Sequence, residues 1–168
     1  MYSKMNKLIF FFLLISLSSF SQKDLNQLLK KHNTKNVPYI SVETLALPNT
    51  KAILLDAREA EEFKVSHLKN AILVGYNNFK LSEITQKLPD DKDAKIVVYC
   101  SLGIRSEAIA LKLIKEGYTN VYNLYGGIFE WKNANFKVQD TLGNNTEKIH
   151  TFNKRWSKWL LKGEKVYD

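Results

Sequence analysis

Ile96-Val97-Val98-Tyr99-Cys100-Ser101-Leu102-Gly103-Ile104-Arg105-Ser106 is the stretch on which the fold turns. Four apolar residues in a row, entered from the acidic turn Pro89-Asp90-Asp91, predict the strongest strand in the sequence. The only cysteine in the sequence follows directly. Beyond a short loop, Ile104, Ala108, Leu111 and Ile114 recur at helical spacing, and Gly117 stands where a C-terminal cap belongs, which predicts a helix over Arg105 to Glu116. A thiol placed between a strand end and a helix start meets N–H groups that have no partner inside the helix, at the positive end of the helix dipole. Amides curled around a point hold an anion, and cysteine pKa values in such settings fall to about 3.5–7.5. Gly103 permits the backbone angles of a tight cradle, and Arg105 adds a cation with several donors. Ser106 is placed either to cap the helix or to offer its hydroxyl. The candidate nucleophile is therefore Cys100, with Ser101, Leu102, Gly103, Ile104, Arg105 and Ser106 as its cradle.

Working outward, Ala52 to Leu55 and Val121 to Tyr125 predict further strands, and Ala71 to Val74 a weaker one. Leu81 to Leu88 predicts a helix ended by Pro89, and Ile128 to Ala134 a short one. Strands alternating with helices predict an α/β fold, a central mostly parallel sheet with helices on both faces. Sites in such sheets lie outside the C-terminal ends of the strands. Cys100 stands at such an end, whereas a cysteine count of one would by itself favour an inert core thiol.

The N-terminus carries Lys4 and Lys7 without an acid, the ten-residue apolar run Leu8 to Leu17, and small residues at Ser19 and Ser21. That order predicts a cleaved signal peptide over 1–21, hence export to a periplasmic or extracellular space, in a bacterium. The run is short of the ~20 apolar residues a membrane span needs. Residues 22–36 read as a linker or short helix, 37–139 as the domain, and 140–168 as a C-terminal extension. Loss of Lys4 and Lys7 lowers the formal charge of +8 by two. The remaining lysines are scattered, which predicts a solvated basic surface that steers small anions and does not bind nucleic acid.

The chain resembles the rhodanese-like domains. Their active loop reads Cys-x-x-Gly-x-Arg-Ser in many single-domain members, and Cys100 to Ser106 matches it. Asp56-Ala57-Arg58-Glu59-Ala60-Glu61-Glu62-Phe63 fits the family's Asp-x-Arg-x-x-x-Glu-Phe/Tyr block. Leu124-Tyr125-Gly126-Gly127-Ile128-Phe129-Glu130-Trp131 fits its closing Leu-x-Gly-Gly-x-x-x-Trp. Ser66-His67-Leu68-Lys69-Asn70-Ala71-Ile72 fits Gly-His-Ile-x-Gly-Ala, with Ser66 and Asn70 in place of two glycines; asparagine tolerates left-handed angles, so the turn is expected to survive. The four blocks span roughly Tyr39 to Val138.

The resemblance implies the five-stranded rhodanese sheet and sulfurtransfer through a Cys100 persulfide. The donor would be a small sulfur-containing anion such as thiosulfate or a persulfide, and the acceptor an external thiol or cyanide. It implies no cofactor. The alternative it leaves open is a binding or persulfide-carrier module for a protein partner. Phosphatases and arsenate reductases on this fold resemble Cys-x-x-x-x-x-Arg, whereas four residues separate Cys100 from Arg105 here. Asp56, Arg58 and Glu62 are expected to form ion pairs that brace strand ends near the loop, and His67 to bond backbone. Gly126 and Gly127 are expected to shape a turn, and Trp131 to fill core. No metal site is expected, since His32 and His150 lack partners at ligand spacing. With Arg105 as the loop's only cation and two of its residues apolar, an organic persulfide or protein thiol is the expected partner in preference to thiosulfate.

In the extension, Ile149, Phe152, Trp156, Trp159 and Leu160 recur at three and four residues, which predicts an amphipathic helix with Gly163 as its stop. Such a stripe either packs on the domain, the favoured expectation, or meets a membrane surface or partner through Ile149, Phe152, Trp156 and Trp159.

Overall fold

The computed structural model describes residues 24–167, so the predicted signal peptide lies outside the described residues. The chain divides at Asn33 and Thr34 into two compact units. Of the first, the structure describes a helix over 24–32, α1, within the span read as a linker or short helix.

The second unit is built on five strands: β1 (Tyr39–Ile40), β2 (Ile53–Asp56), β3 (Ile72–Leu73), β4 (Ile96–Tyr99) and β5 (Val121–Leu124). Their order is β1-β5-β4-β2-β3, and every pairing is parallel. The central place of β4 follows from its sequence, since all four of its residues are buried and none carries a charge to solvate. Between strands run α2 (Val42–Ala46), α3 (Ala60–Val65), α4 (Leu81–Thr85) and α5 (Arg105–Lys115), and α6 (Gly127–Asn133) follows β5. Ile109, Ala110 and Leu113 of α5 join Val98 of β4 and Val121 of β5 in one core. Gly117, at φ +96°, ends α5 as expected: its N–H bonds to the Ile114 carbonyl and the Tyr118 N–H to that of Leu113.

Three elements gave no periodic signal, because β1, α2 and α3 hold two, five and six residues. Local capping chemistry starts the two helices instead. The Ser41 hydroxyl accepts from Thr44 N–H, and Glu59 and Glu62 form a reciprocal capping box at α3. The expected helix to Leu88 stops at Thr85 and continues only as turn. Asn70 adopts φ +62°, so the turn after His67 is kept, and Ser66 sits in extended backbone open to any residue.

The expected amphipathic helix over 149–160 does not form. The extension instead adds β7 (Asn145–Thr146), antiparallel to β6 (Val138–Gln139) at the end of the span read as the domain, then β8 (Lys148–His150) parallel to β9 (Glu164–Val166). One turn of 3-10 helix, Ser157–Trp159, lies between β8 and β9. The periodicity misled because Phe152 sits at φ +65°, which no α-helix accommodates, and because Thr151, fully buried, bonds through its hydroxyl and N–H to the Val166 carbonyl. Packing on the domain nevertheless holds. Ile149 and Leu160 are buried, Lys132 of α6 pairs with Glu147 at 2.7 Å, and Asn133 bonds to Trp159 and Leu161. Among the described residues no helix is long and apolar enough to cross a membrane. Because Ile149 is 0% exposed, Ile149→Ala should cost about 2–5 kcal/mol, read as a lower urea midpoint. A midpoint equal to the wild type's would show that the extension contributes nothing to the core.

Candidate active site

Strand β4 ends by delivering Cys100 into the loop that opens α5. The Sγ atom accepts the Gly103 N–H at 3.1 Å and lies 3.5 Å from the Ser106 hydroxyl. Ser106 is inside α5, and Ile104 holds the N-cap position, so of its two expected roles Ser106 takes the hydroxyl one. Its single proton has two takers, Sγ and, at 2.7 Å, the Asn123 Oδ1. The shorter bond wins in the resting thiol, and a charged sulfur would compete for the proton more strongly. Burial pushes the Cys100 thiol up. The Arg105 charge, the Ser106 hydroxyl and N–H, and the Gly103 N–H together outweigh it and hold the thiol below its ordinary range.

The loop is clamped from two sides. Asn123, fully buried on β5, donates to the Gly103 carbonyl at 2.8 Å and accepts from Ser106. A carbonyl can only accept, so the Asn123 amide has one orientation. On the other side, the first N–H groups of α6 bind the loop carbonyls, Ile128 to Cys100 at 2.9 Å and Phe129 to Ser101 at 3.2 Å. Gly127, at φ +55°, is there because a Cβ would lie 2.2 Å from the Cys100 carbonyl oxygen. The expected turn role of Gly126 and Gly127 is therefore incomplete, since Gly127 also lets α6 abut the loop. Trp131 does not fill core. It is half-buried, leans on Phe136 at 4.7 Å and donates to the Lys137 carbonyl.

Arg105 is held by Glu62 through two bonds, Nη1 to Oε2 at 2.6 Å and Nη2 to Oε1 at 2.7 Å. Ser101 bridges them, its hydroxyl donating to Glu62 and accepting from Arg105. Glu62 thus belongs to the site and does not merely brace a strand end. Burial raises its carboxyl, and Arg105 above all brings it below the usual carboxylate range. Asp56 and Arg58 do form the expected brace. Arg58, fully buried, binds Asp56 through Nε and Nη2 and the Ser66 carbonyl through Nη2 at 2.6 Å. His67 bonds the Phe63 carbonyl and stacks on the Phe63 ring at 3.9 Å, again as expected.

A cavity of about 210 Å³ opens onto the sulfur, lined by Cys100, Ser101, Leu102, Ile104, Arg105, Phe152 and Trp156. Asn123 and the two aromatic residues went unrecognised as site residues. A lone amide inside the apolar strand Val121-Tyr122-Asn123-Leu124 was a usable signal for the first. Nothing local tied Phe152 and Trp156 to a loop some fifty residues earlier.

The sequence profile described as Rhodanese-like domain matches residues 41–134, more than half of the chain. The chain belongs to the rhodanese-like domain family. A tRNA uridine(34) hydroxylase of Photorhabdus laumondii is 35% identical over 102 residues, 58% of this chain and 29% of that protein. The adenylyltransferase and sulfurtransferase UBA4 of Candida albicans is 45% identical over 85 residues, 48% of this chain and 19% of its own. This rhodanese-like chain therefore spans less than a third of the length of these relatives. Among solved structures, the BH2092 protein of Bacillus halodurans aligns at a TM-score of 0.54 and 27% identity, over 70% of this chain and 88% of that one. A thiosulfate sulfurtransferase of Pseudomonas aeruginosa aligns at 0.57 and 21%, over 74% and 23%, which shows the shared fold. The profile match ends at Ala134, so Phe152 and Trp156 come from outside the matched region.

A lowered thiol pKa means that the thiolate persists to lower pH. Alkylation of Cys100 by iodoacetamide should rise with pH around a midpoint below 9.0, the ordinary thiol value. In Arg105→Ala the burial stays while its largest opponent goes, so the midpoint should move up. A wild-type midpoint at or above 9.0 would refute this account of the cradle.

Proposed function

We propose that this protein is a sulfurtransferase that carries a sulfane sulfur as a persulfide on Cys100. The observation that carries the reading is a buried sulfur receiving the Gly103 N–H and facing the Ser106 hydroxyl, with the Arg105 charge behind it. Cys100 thiolate attacks the outer sulfur of the donor, the donor's S–S bond breaks, and its electron pair leaves with the remainder, sulfite when the donor is thiosulfate. A thiol or cyanide then attacks the outer sulfur of the Cys100 persulfide and regenerates the thiolate. The nucleophile is activated by its depressed pKa, so no general base is required. The donors at Sγ, the Gly103 N–H and the Ser106 hydroxyl, would likewise favour the negative charge of the persulfide.

With four residues between Cys100 and Arg105, the ring of amides suits one sulfur better than a tetrahedral oxyanion. Relatives named as tRNA hydroxylases share this domain but extend far beyond it, and the UBA4 relative is named a sulfurtransferase. The signal-peptide pattern of 1–21 supports an exported setting for the reaction. In that setting a lone cysteine has no internal disulfide partner, which leaves its thiol available for transfer.

Mass spectrometry of the protein after exposure to thiosulfate or glutathione persulfide should show one added sulfur atom on Cys100. Cys100→Ser should lose that adduct and all sulfurtransfer while keeping its melting temperature within a few degrees. Arg105→Ala should lower the rate about ten- to a hundredfold, the cost of one charge-assisted contact. Transfer that persists in Cys100→Ser would overturn the reading.

A further inference from the structure

We propose that Phe152 and Trp156 make this an active site for organic sulfane-sulfur donors whose substituent is apolar, R–S–SH or R–SO2–S⁻, in preference to thiosulfate. The inference rests on the Cys100 persulfide reading and adds to it the class of donor.

The cavity over Cys100 is walled by Leu102 and Ile104 from the loop and by Phe152 and Trp156 from the extension. Arg105 is the charged residue of that wall, and it is already engaged. Both of its terminal nitrogens bond to Glu62, one also to Ser101, and the Phe152 ring lies over the guanidinium with its centroid 5.3 Å from Cζ. Glu62, bonded to both terminal nitrogens, offsets the Arg105 charge for a ligand entering the cavity, while the fixed guanidinium still acts on the neighbouring Cys100 sulfur. A thiosulfate dianion entering there must shed water against four apolar side chains without gaining an open cation. An apolar substituent gains by the same burial, and the aromatic faces favour polarizable sulfur. The cavity volume of about 210 Å³ leaves room for such a substituent beyond the transferred sulfur, since a water needs only roughly 10–15 Å³ of comparable space.

The backbone shows that the wall is built. Phe152 adopts φ +65°, a conformation unfavourable to a bulky L-residue, and the residue is 46% exposed, so core packing does not account for the strain. The segment is held in that shape on both sides. Phe152 N–H donates to His150 Nδ1 at 3.1 Å, and the Asn153 side chain accepts from Trp156 N–H at 3.2 Å. Thr151, fully buried, ties the start of the segment to β9. All of these residues lie beyond Ala134, outside the region matched to the family.

In the step itself, Cys100 thiolate bonds to the outer sulfur of R–S–SH, the S–S bond breaks, and R–S⁻ leaves with the electron pair. The proton on the new persulfide passes to R–S⁻, giving R–SH and the Cys100 persulfide anion. From R–SO2–S⁻ the leaving group is the sulfinate R–SO2⁻. Neither route requires an oxidant or reductant.

Thiosulfate, methanethiosulfonate and benzenethiosulfonate separate the contributions, since they offer the same sulfur with two charges, one charge, and one charge plus a phenyl ring. In the full chain, kcat/KM should rise along that series, by about tenfold at the last step, the scale of one apolar pocket contact. In Phe152→Ala and in Trp156→Ala, the ratio of benzenethiosulfonate to methanethiosulfonate should fall about fivefold or more, and a ratio within one preparation is insensitive to partial misfolding. Wild-type preference for thiosulfate, or ratios unchanged in both variants while Cys100 still acquires sulfur, would overturn the proposal and leave the persulfide reading intact. Failure of all three donors to add sulfur to Cys100 would overturn both.

Discussion

A sulfur that is buried yet held below the ordinary thiol range sets the conditions for everything around Cys100. With only 2% of the residue exposed, the apolar surroundings by themselves would keep the thiol neutral. Ionisation is recovered by a cation and by donors whose positions are fixed before any substrate arrives. Each of those groups needs its own support. Gly103 presents its N–H only from a backbone angle, φ +103°, that glycine tolerates, and the Asn123 amide holds its carbonyl. Arg105 would be a desolvated charge without Glu62, and Glu62 would be one without Arg105. The pair couples α3 to the start of α5 across the loop.

The sheet supplies the rigid frame for this arrangement. The parallel register sets Asp56 beside Tyr99, so the ends of β2 and β4 lie level and the Ala57 N–H reaches the Tyr99 carbonyl at 2.8 Å. Asp56 and Arg58, both fully buried, then lock the chain leaving β2 to the Ser66 carbonyl, and the Tyr99 hydroxyl accepts the Leu68 N–H. These bonds position α3, and α3 positions Glu62. The electrostatics at the sulfur therefore trace back, through named hydrogen bonds, to the pairing of two central strands.

The extension turns a general cradle into a particular cavity. Its apolar residues divide between two jobs that the linear pattern could not separate. Ile149 and Leu160 are core, while Phe152 and Trp156 face the space above Cys100. Phe152 also covers the face of Arg105, so the segment that shapes the cavity shields the cation that stabilises the thiolate.

By itself the sequence determined the α/β class, the run Ile96 to Tyr99 as a strong strand, and the placing of Cys100 between that strand and a helix, in the loop Cys100 to Ser106. These are local facts: a four-residue apolar run, a glycine that permits a turn, an eleven-residue helix long enough to show its period. The Asp56–Arg58 brace was legible for a similar reason, since the two residues lie two apart. What tertiary structure alone decided are the pairings across distance. Glu62 meets Arg105 over 43 positions, Asn123 meets Ser106 over 17, and Phe152 meets the loop from beyond the family-matched region. The stripe from Ile149 to Leu160 has the period of a helix, yet it folds as strand, strained turn and 3-10 turn. Its bonding partners, β9 and α6, are assigned only when the chain comes together, and the burial of Thr151 and Ile149 outweighs the helical period of a short segment.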